Sequence, residues 1–275
     1  SFSHDVSFFT EFERFDRHAE KLRRQDSEKR IHYTSICSPN YLHDAHVRFS
    51  LRIGADAICE KPLVINPWNL DALAELEQES GRKVYNVLQL RLHPSIIALR
   101  DRIRCAPDGK KFAIDLTYIT ARGKWYFSSW KGDASKSGGI ATNIGVHFFD
   151  MLIWIFGKVQ HLEVHIADQN KMAGFLELER AHVRWLLSVS HEDLPPVATR
   201  EKKTTYRSIT VDGKEVEFSG GFTDLHTIVY QEILAGRGFR IEEARPSIDL
   251  VHALRHSTPV RTIQSEIHPL LEAAS

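Results

Sequence analysis

Three short stretches set chemically capable side chains directly behind runs that read as β-strands. Ser38-Pro39-Asn40 follows Ile31 to Cys37, Glu60-Lys61-Pro62 follows Ala55 to Cys59, and Arg91-Leu92-His93-Pro94 follows Val84 to Leu90. In an open parallel sheet, ligands bind beyond the carboxyl ends of the strands, so these are the positions where chemistry is expected. Lys61 is the most telling of them: a lysine at a strand end, followed by a proline, points one ammonium into the crevice. A solvated loop lysine is the competing reading. A second stretch, Ser137 to Asp150, puts Asn143 and His147 four positions apart and hence on one helix face. Gly145 lies between them and would let a ligand or backbone come close. Amine and imidazole are the side chains of general acid and base catalysis. Taken alone, His147 would read as a hydrogen-bonded core histidine and Asp150 as a surface acid.

The elements that must position these groups follow from periodicity. Val6 to Phe9 reads as a strand, Glu11 to Arg24 as a helix, Leu42 to Ile53 as a second helix and Pro67 to Ser80 as a third. Alternating with the strands above, they predict parallel βαβ units with right-handed crossovers. Gly54 and Gly81 stand where helices stop, and Pro67 starts one with Asn66 at the cap. Beyond Leu92 longer strand-like runs appear: Phe112 to Ala121, Val159 to Ala167, Phe175 to Glu179, Val183 to Val189 and Thr205 to Phe218. The last carries Asp212-Gly213, a hairpin signal. A helix from Ser137 to Phe156 interrupts them, helices at Asp224 to Leu234 and Ile241 to Arg255 close the chain, and Leu194 to Lys203 reads as an exposed loop. The expected fold is α/β plus α+β: an incomplete Rossmann-type parallel sheet over 1–91, then a domain over 92–275 with a large, mostly antiparallel sheet. The helix near 241–255 should pack back on the first domain.

Composition excludes several classes. Among 275 residues, Lys plus Arg (36) equals Asp plus Glu (36), so no positive excess exists to hold a nucleic acid or an anionic membrane. Three cysteines without a C-x-x-C pair argue against a disulfide framework or zinc site and read as reduced core thiols. The apolar run at Phe148 to Phe156 falls short of the roughly 20 residues of a membrane span. A cytoplasmic protein is the expectation. A metal hydrolase built on His43, His46, His147 and Asp150 is the weaker alternative, since no H-E-x-x-H accompanies them.

Glu60-Lys61-Pro62 after a strand, with Gly138-Gly139 and the run Asn143 to Asp150, resembles the two signatures of Gfo/Idh/MocA oxidoreductases. Glu243-Ala244-Arg245-Pro246 is similar to that family's closing helix. Within the family, Gln89 to Pro94, Arg122 to Tyr126, Ser129 to Gly132 and Asp224 to Thr227 most resemble dehydrogenases of UDP-N-acetyl-hexosaminuronic acids from lipopolysaccharide sugar synthesis. The resemblance implies NAD as cofactor, with NADP open, and hydride transfer from C3 of the sugar. It makes Ser38, Pro39, Asn40, His43, Glu60 and Lys61 the cofactor side, and Lys61, His147 and Asn143 the catalytic set. For the substrate's diphosphate and carboxylate the candidate cations are Arg91, Arg122, Lys124 and Lys131, with Trp125, Tyr126 and His226 as sugar contacts beside Asn143 and His147. A homodimer or homotetramer, joined through the outer face of the large sheet, is the expected assembly.

Two departures stand out. The family pattern has Asp where this chain has Asn143, which leaves the Lys61 pKa freer to fall. No G-x-G-x-x-G occurs, and the chain opens at what reads as the third strand of a dinucleotide fold. The expectation is therefore an N-terminally incomplete version of a longer enzyme. A natural truncation serving as an inactive sugar-nucleotide-binding module is the rival, separated from it by titration with NAD(H).

Overall fold

The computed structural model describes residues 6–25, 28–217 and 224–272. Helix α1 (Phe12–Arg24) leads into β1 (Tyr33–Ile36), α2 (His43–Arg52), β2 (Asp56–Cys59), α3 (Pro67–Ser80) and β3 (Val84–Asn86). The three strands form a parallel sheet in the order β1-β2-β3, with Ile36 opposite Cys59 and Cys59 opposite Asn86. Each of the first two strands ends where a reactive stretch begins, as the alternation of the sequence requires. Val6 to Phe9 is not a strand: it is irregular and exposed. A strand needs a ladder partner for its amides, and this segment has none among the described residues.

Helix α4 (Pro94–Arg104) leads to β4 (Phe112–Thr120), the short helices α5 (Lys124–Ser128) and α6 (Ala134–Ser137), and the long helix α7 (Val146–Phe156). Then come β5 (Val159–Ala167), β6 (Lys171–Leu178), β7 (Ala181–Ser188), α8 (Pro196–Arg200), β8 (Thr205–Val211) and β9 (Lys214–Glu215), followed by α9 (Leu225–Leu234), α10 (Ile241–His256) and α11 (Pro269–Glu272). The second sheet runs β5-β6-β7-β4-β8-β9, antiparallel except for the β4–β7 pair. Asp212 and Gly213 both take positive φ in the β8–β9 turn, the geometry that an Asp-Gly hairpin favours. The strand expected to run to Phe218 stops earlier, and Phe218 itself lies outside the described residues.

The helix expected from Ser137 to Phe156 is broken at its start. Gly138 (φ 81°) ends α6 in the left-handed region, where a Cβ would also collide with Thr142 at 2.7 Å. A π-helical turn, Ala141–Gly145, then leads into α7. Gly145 makes room for packing: a Cβ there would meet Leu187 Cδ1 of β7 at 2.6 Å. The run Ala134–Phe156, at 23 residues, is long and apolar enough to cross a membrane by composition. It lies instead at the centre of the protein, with Phe148, Phe149, Met151, Leu152 and Phe156 buried. One apolar cluster joins Val47, Cys59 and Leu70 around the first sheet to Leu116, Phe149, Leu152 and Trp185 around the second.

Several local expectations shift for tertiary reasons. Asn66 occupies the cap position of α3 but does not cap it, because its side-chain oxygen accepts from Arg255 of α10 at 2.6 Å. The segment read as a loop at Leu194 to Lys203 contains α8, and Leu194 and Ala198 are buried against Ile119. Cys59 is a core thiol, whereas Cys37 and Cys105 are exposed. The outer face of the large sheet is crossed by the chain's own C-terminal segment. His268 Nε2 meets Thr117 Oγ1 at 3.1 Å, Ser265 donates its backbone N–H to Glu163 at 3.2 Å, and Leu270 packs beside Ile119. That segment covers part of the face and supplies partners to Thr117 and Glu163.

Candidate active site

Lys61, behind β2, and Asn143 and His147, behind β4 in the chain, are brought to one place by the packing of the π-turn and α7 between the two sheets. Lys61 Nζ donates to the backbone carbonyl of Asn143 at 3.1 Å. Burial lowers the Lys61 pKa to about 8; Glu60 opposes the shift, and the charges of Lys131 and Arg122 add to it. The His147 imidazole is pushed well below its usual range, first by burial and then by the positive charges of Lys61 and Arg207. At neutral pH the site therefore holds an uncharged imidazole beside an amine poised to lose its proton. The Asn143 side chain donates from Nδ2 to the Tyr126 hydroxyl at 3.1 Å, and Tyr126 is 3% exposed.

Around this centre the predicted residues divide. Glu60 accepts the Lys61 N–H at 3.3 Å and faces His226 Nε2 at 3.1 Å, which ties the strand end to α9. Lys131 and Arg122 converge on the half-exposed ring of Trp125, at 5.6 and 5.9 Å from its centroid. Beside Tyr126 opens a cavity of about 440 Å³, lined also by Lys131, Gly138, Gly139 and Arg255. Lys124 is exposed on α5.

Three predicted ligand contacts are corrected. Arg91 does not face the site: its guanidinium is buried, donates to both oxygens of Asp150 at 2.9 and 2.7 Å, and reaches the Glu243 carbonyl at 2.8 Å. Asp150 is thus its partner and no surface acid. His43 is 1% exposed, with Nδ1 at 2.7 Å from the Pro62 carbonyl and Nε2 at 2.8 Å from the Ser38 carbonyl. Both its ring nitrogens are taken by these carbonyls, so it clamps the loops behind β1 and β2 together. Asn40 is also buried and donates to the Ser137 carbonyl at 2.9 Å, fixing the same loop to the segment before Gly138. Ser38 and Pro39 stay at the strand end, partly exposed, with Ser38 Oγ 2.9 Å from His46 Nδ1. For the metal-hydrolase alternative, no group of three or more His, Cys, Asp or Glu that could hold a metal ion occurs among the described residues, and Asp150 is taken by Arg91.

Arg207 was missed by the reading of motifs, although strand alternation could have found it. On β8 it shares a face with Ile209 and Val211, which are both buried. An arginine in that register is unusual enough to flag.

Comparison with known proteins bears on the family and the fold. The pattern described as "Oxidoreductase family, NAD-binding Rossmann fold" matches residues 3–87, and "Oxidoreductase family, C-terminal alpha/beta domain" matches residues 110–194. The WlbA (WbpB) dehydrogenase of Thermus thermophilus, solved in complex with NAD and α-ketoglutarate, is 50% identical, with a TM-score of 0.91 over 96% of this chain and 84% of that one. The same dehydrogenase in complex with NAD and UDP-GlcNAcA gives 49% identity and a TM-score of 0.90 over the same shares, 96% and 84%. The inositol 2-dehydrogenase of Rhizobium meliloti is 27% identical over 124 residues, 45% of this chain and 36% of its own length. The chain spans 28% and 15% of two other curated relatives, oxidoreductases of Bacillus subtilis and Cordyceps militaris.

Proposed function

We propose, for a chain that belongs to the Gfo/Idh/MocA oxidoreductase family, that it oxidises C3 of a UDP-N-acetyl-hexosaminuronic acid with NAD in lipopolysaccharide sugar synthesis. The observation that carries this reading is the meeting of a lysine of lowered pKa, a neutral imidazole and an Asn–Tyr hydrogen bond at the carboxyl end of a parallel strand. The flanking cations Arg122 and Lys131 suit a substrate with several negative charges, and UDP-GlcNAcA bound to the Thermus thermophilus relative is one.

Ser38, Pro39, Glu60 and Lys61 stand at the ends of β1 and β2, where a parallel sheet receives a dinucleotide, and they fit its nicotinamide end. NAD, when bound there, supplies the hydride acceptor. The C3–H bond breaks with its electron pair leaving as hydride, the C3 hydroxyl loses its proton, and a 3-keto sugar results. Lys61 is the group that takes this proton. As the free amine it can donate one N–H to the Asn143 carbonyl and offer its lone pair to the hydroxyl. His147, whose pKa burial lowers well below the usual range, orients the hydroxyl by a hydrogen bond. Tyr126 holds the Asn143 amide in place. The division at residues 91 and 92, a cytoplasmic location and a homodimer or homotetramer belong to the same reading.

The test is direct. Incubated with NAD and UDP-GlcNAcA, the protein should form NADH and a 3-keto product in equal amounts, and calorimetry should detect binding of both ligands. Binding of the sugar nucleotide without dinucleotide binding would favour the inactive module instead.

A further inference from the structure

Arg207 differs from the other cations near the site in where it comes from. It pairs with Tyr118 across β4 and β8 and projects from the face of the sheet that α7 covers. Its guanidinium carbon lies 5.6 Å from the Tyr118 ring centroid and 5.9 Å from that of Phe148. The imidazole of His147 sits against the same Phe148 ring, 6.1 Å between centroids. Arg207 and the reactive histidine thus flank one phenyl ring. Placing a guanidinium on the core side of a strand costs desolvation energy that an aliphatic residue would not incur. Arg122 and Lys131, by contrast, gather at the half-exposed Trp125.

Building on the function proposed above, we infer that Arg207 reads the hexuronate carboxylate and makes the site prefer a UDP-uronate to the corresponding neutral UDP-sugar. The geometry of a pyranose carries the argument. C3 lies opposite the ring oxygen, and the two carbons flanking that oxygen bear the diphosphate (C1) and the carboxylate (C5). With C3 held at Lys61 and His147, the two anionic substituents leave the ring on different sides. The diphosphate leads to a bulky nucleoside and must take the open side, where Trp125, Arg122 and Lys131 lie. The carboxylate is small and terminal, and it fits the side closed by the sheet, where Arg207 stands. A guanidinium matches a planar carboxylate with two parallel N–H···O bonds, which a lysine cannot reproduce.

The experiment is calorimetric titration of the whole chain and of Arg207→Met and Arg207→Lys with UDP-GlcNAcA and with UDP-GlcNAc. The unaltered chain should bind the uronate at least about 30-fold more tightly. Arg207→Met should weaken the uronate by about 30- to 100-fold, and the neutral sugar by less than about threefold, which also shows that the variant is folded. Arg207→Lys, which keeps the charge but loses the fork, should weaken the uronate by about tenfold and decides the matter if the methionine variant does not fold. An equal loss for both sugars, or an unchanged uronate affinity, overturns the assignment of Arg207. Equal binding of both sugars by the unaltered chain overturns it too and leaves the dehydrogenase reading standing. Failure of the unaltered chain to bind either sugar sinks that reading and this inference with it.

Discussion

Two buried charged arrangements lie one helical turn apart on α7, and they are built on opposite principles. Asp150 and Arg91 form a two-pronged pair in which each charge meets its complement, and the Glu243 carbonyl takes a further guanidinium proton. At His147 burial and the positive charges of Lys61 and Arg207 disfavour the imidazolium, and Lys61 faces a neutral carbonyl. A buried charge that is fully matched holds the molecule together, here joining the segment behind β3 to α7 and α10. Burial beside like charges costs stability and lowers both pKa values, which brings Lys61 to about 8, within reach of proton transfer, and keeps His147 from charging. Burial alone therefore does not mark a catalytic group; the sign and completeness of its surroundings do.

The largest effect expected is on turnover. Lys61→Met should lower kcat by about 10³-fold while sugar-nucleotide binding, followed by calorimetry, stays within a few-fold. Near-normal turnover in steady-state assays would remove the contrast, because Lys61 would then be as structural as Arg91. The matched pair should answer in stability. Asp150→Ala leaves a buried guanidinium uncompensated and should cost about 3–5 kcal/mol in denaturant unfolding, whereas an apolar double replacement, Arg91→Met with Asp150→Leu, should recover most of it. A loss below about 1 kcal/mol would mean that the pair is no better than a surface one.

A smaller change sharpens the comparison at the reactive end. With the free amine as the proposed base, kcat/KM should rise with pH through the Lys61 pKa of about 8 and then level off. Asn143→Asp places a carboxylate near the ammonium, favours its charged form and should move this limb up by about one pH unit. A profile that stays put, or moves to lower pH, would show that residue 143 does not tune Lys61. The smallest effect belongs to the C-terminal segment. Burial depresses the His268 pKa from 6.5 to about 4, so the unfolded chain binds more protons in that window, and stability should fall as pH drops from 6.5 toward 4. His268→Gln should flatten that part of the stability curve, as thermal unfolding at stepped pH values would reveal.

Much of the site was legible before any coordinates. The β-rich runs and helical periods placed Lys61 behind a strand, and the spacing of Asn143 and His147 put both near the start of one apolar helix. Arg207 was equally open to reading, since alternation along Thr205 to Val211 sets it beside Ile209 and Val211. His43 and Arg91 looked like ligand groups, for their residue types and strand-end positions are those of binding residues. Nothing local revealed that carbonyl oxygens would enclose the one and that Asp150 would take the other.

The amino-acid order by itself determined the identity of the elements, the strand ends where chemistry gathers, and the family signatures, because periodicity and turn preferences act over a few residues. Only the tertiary structure decided which polar groups face one another. Arg91 finds Asp150 59 residues away and Glu243 152 residues away, and Tyr126 meets Asn143 across a break in the helix. Such partners are chosen by packing, which weighs desolvation against every group within reach, and that balance is written in no local pattern.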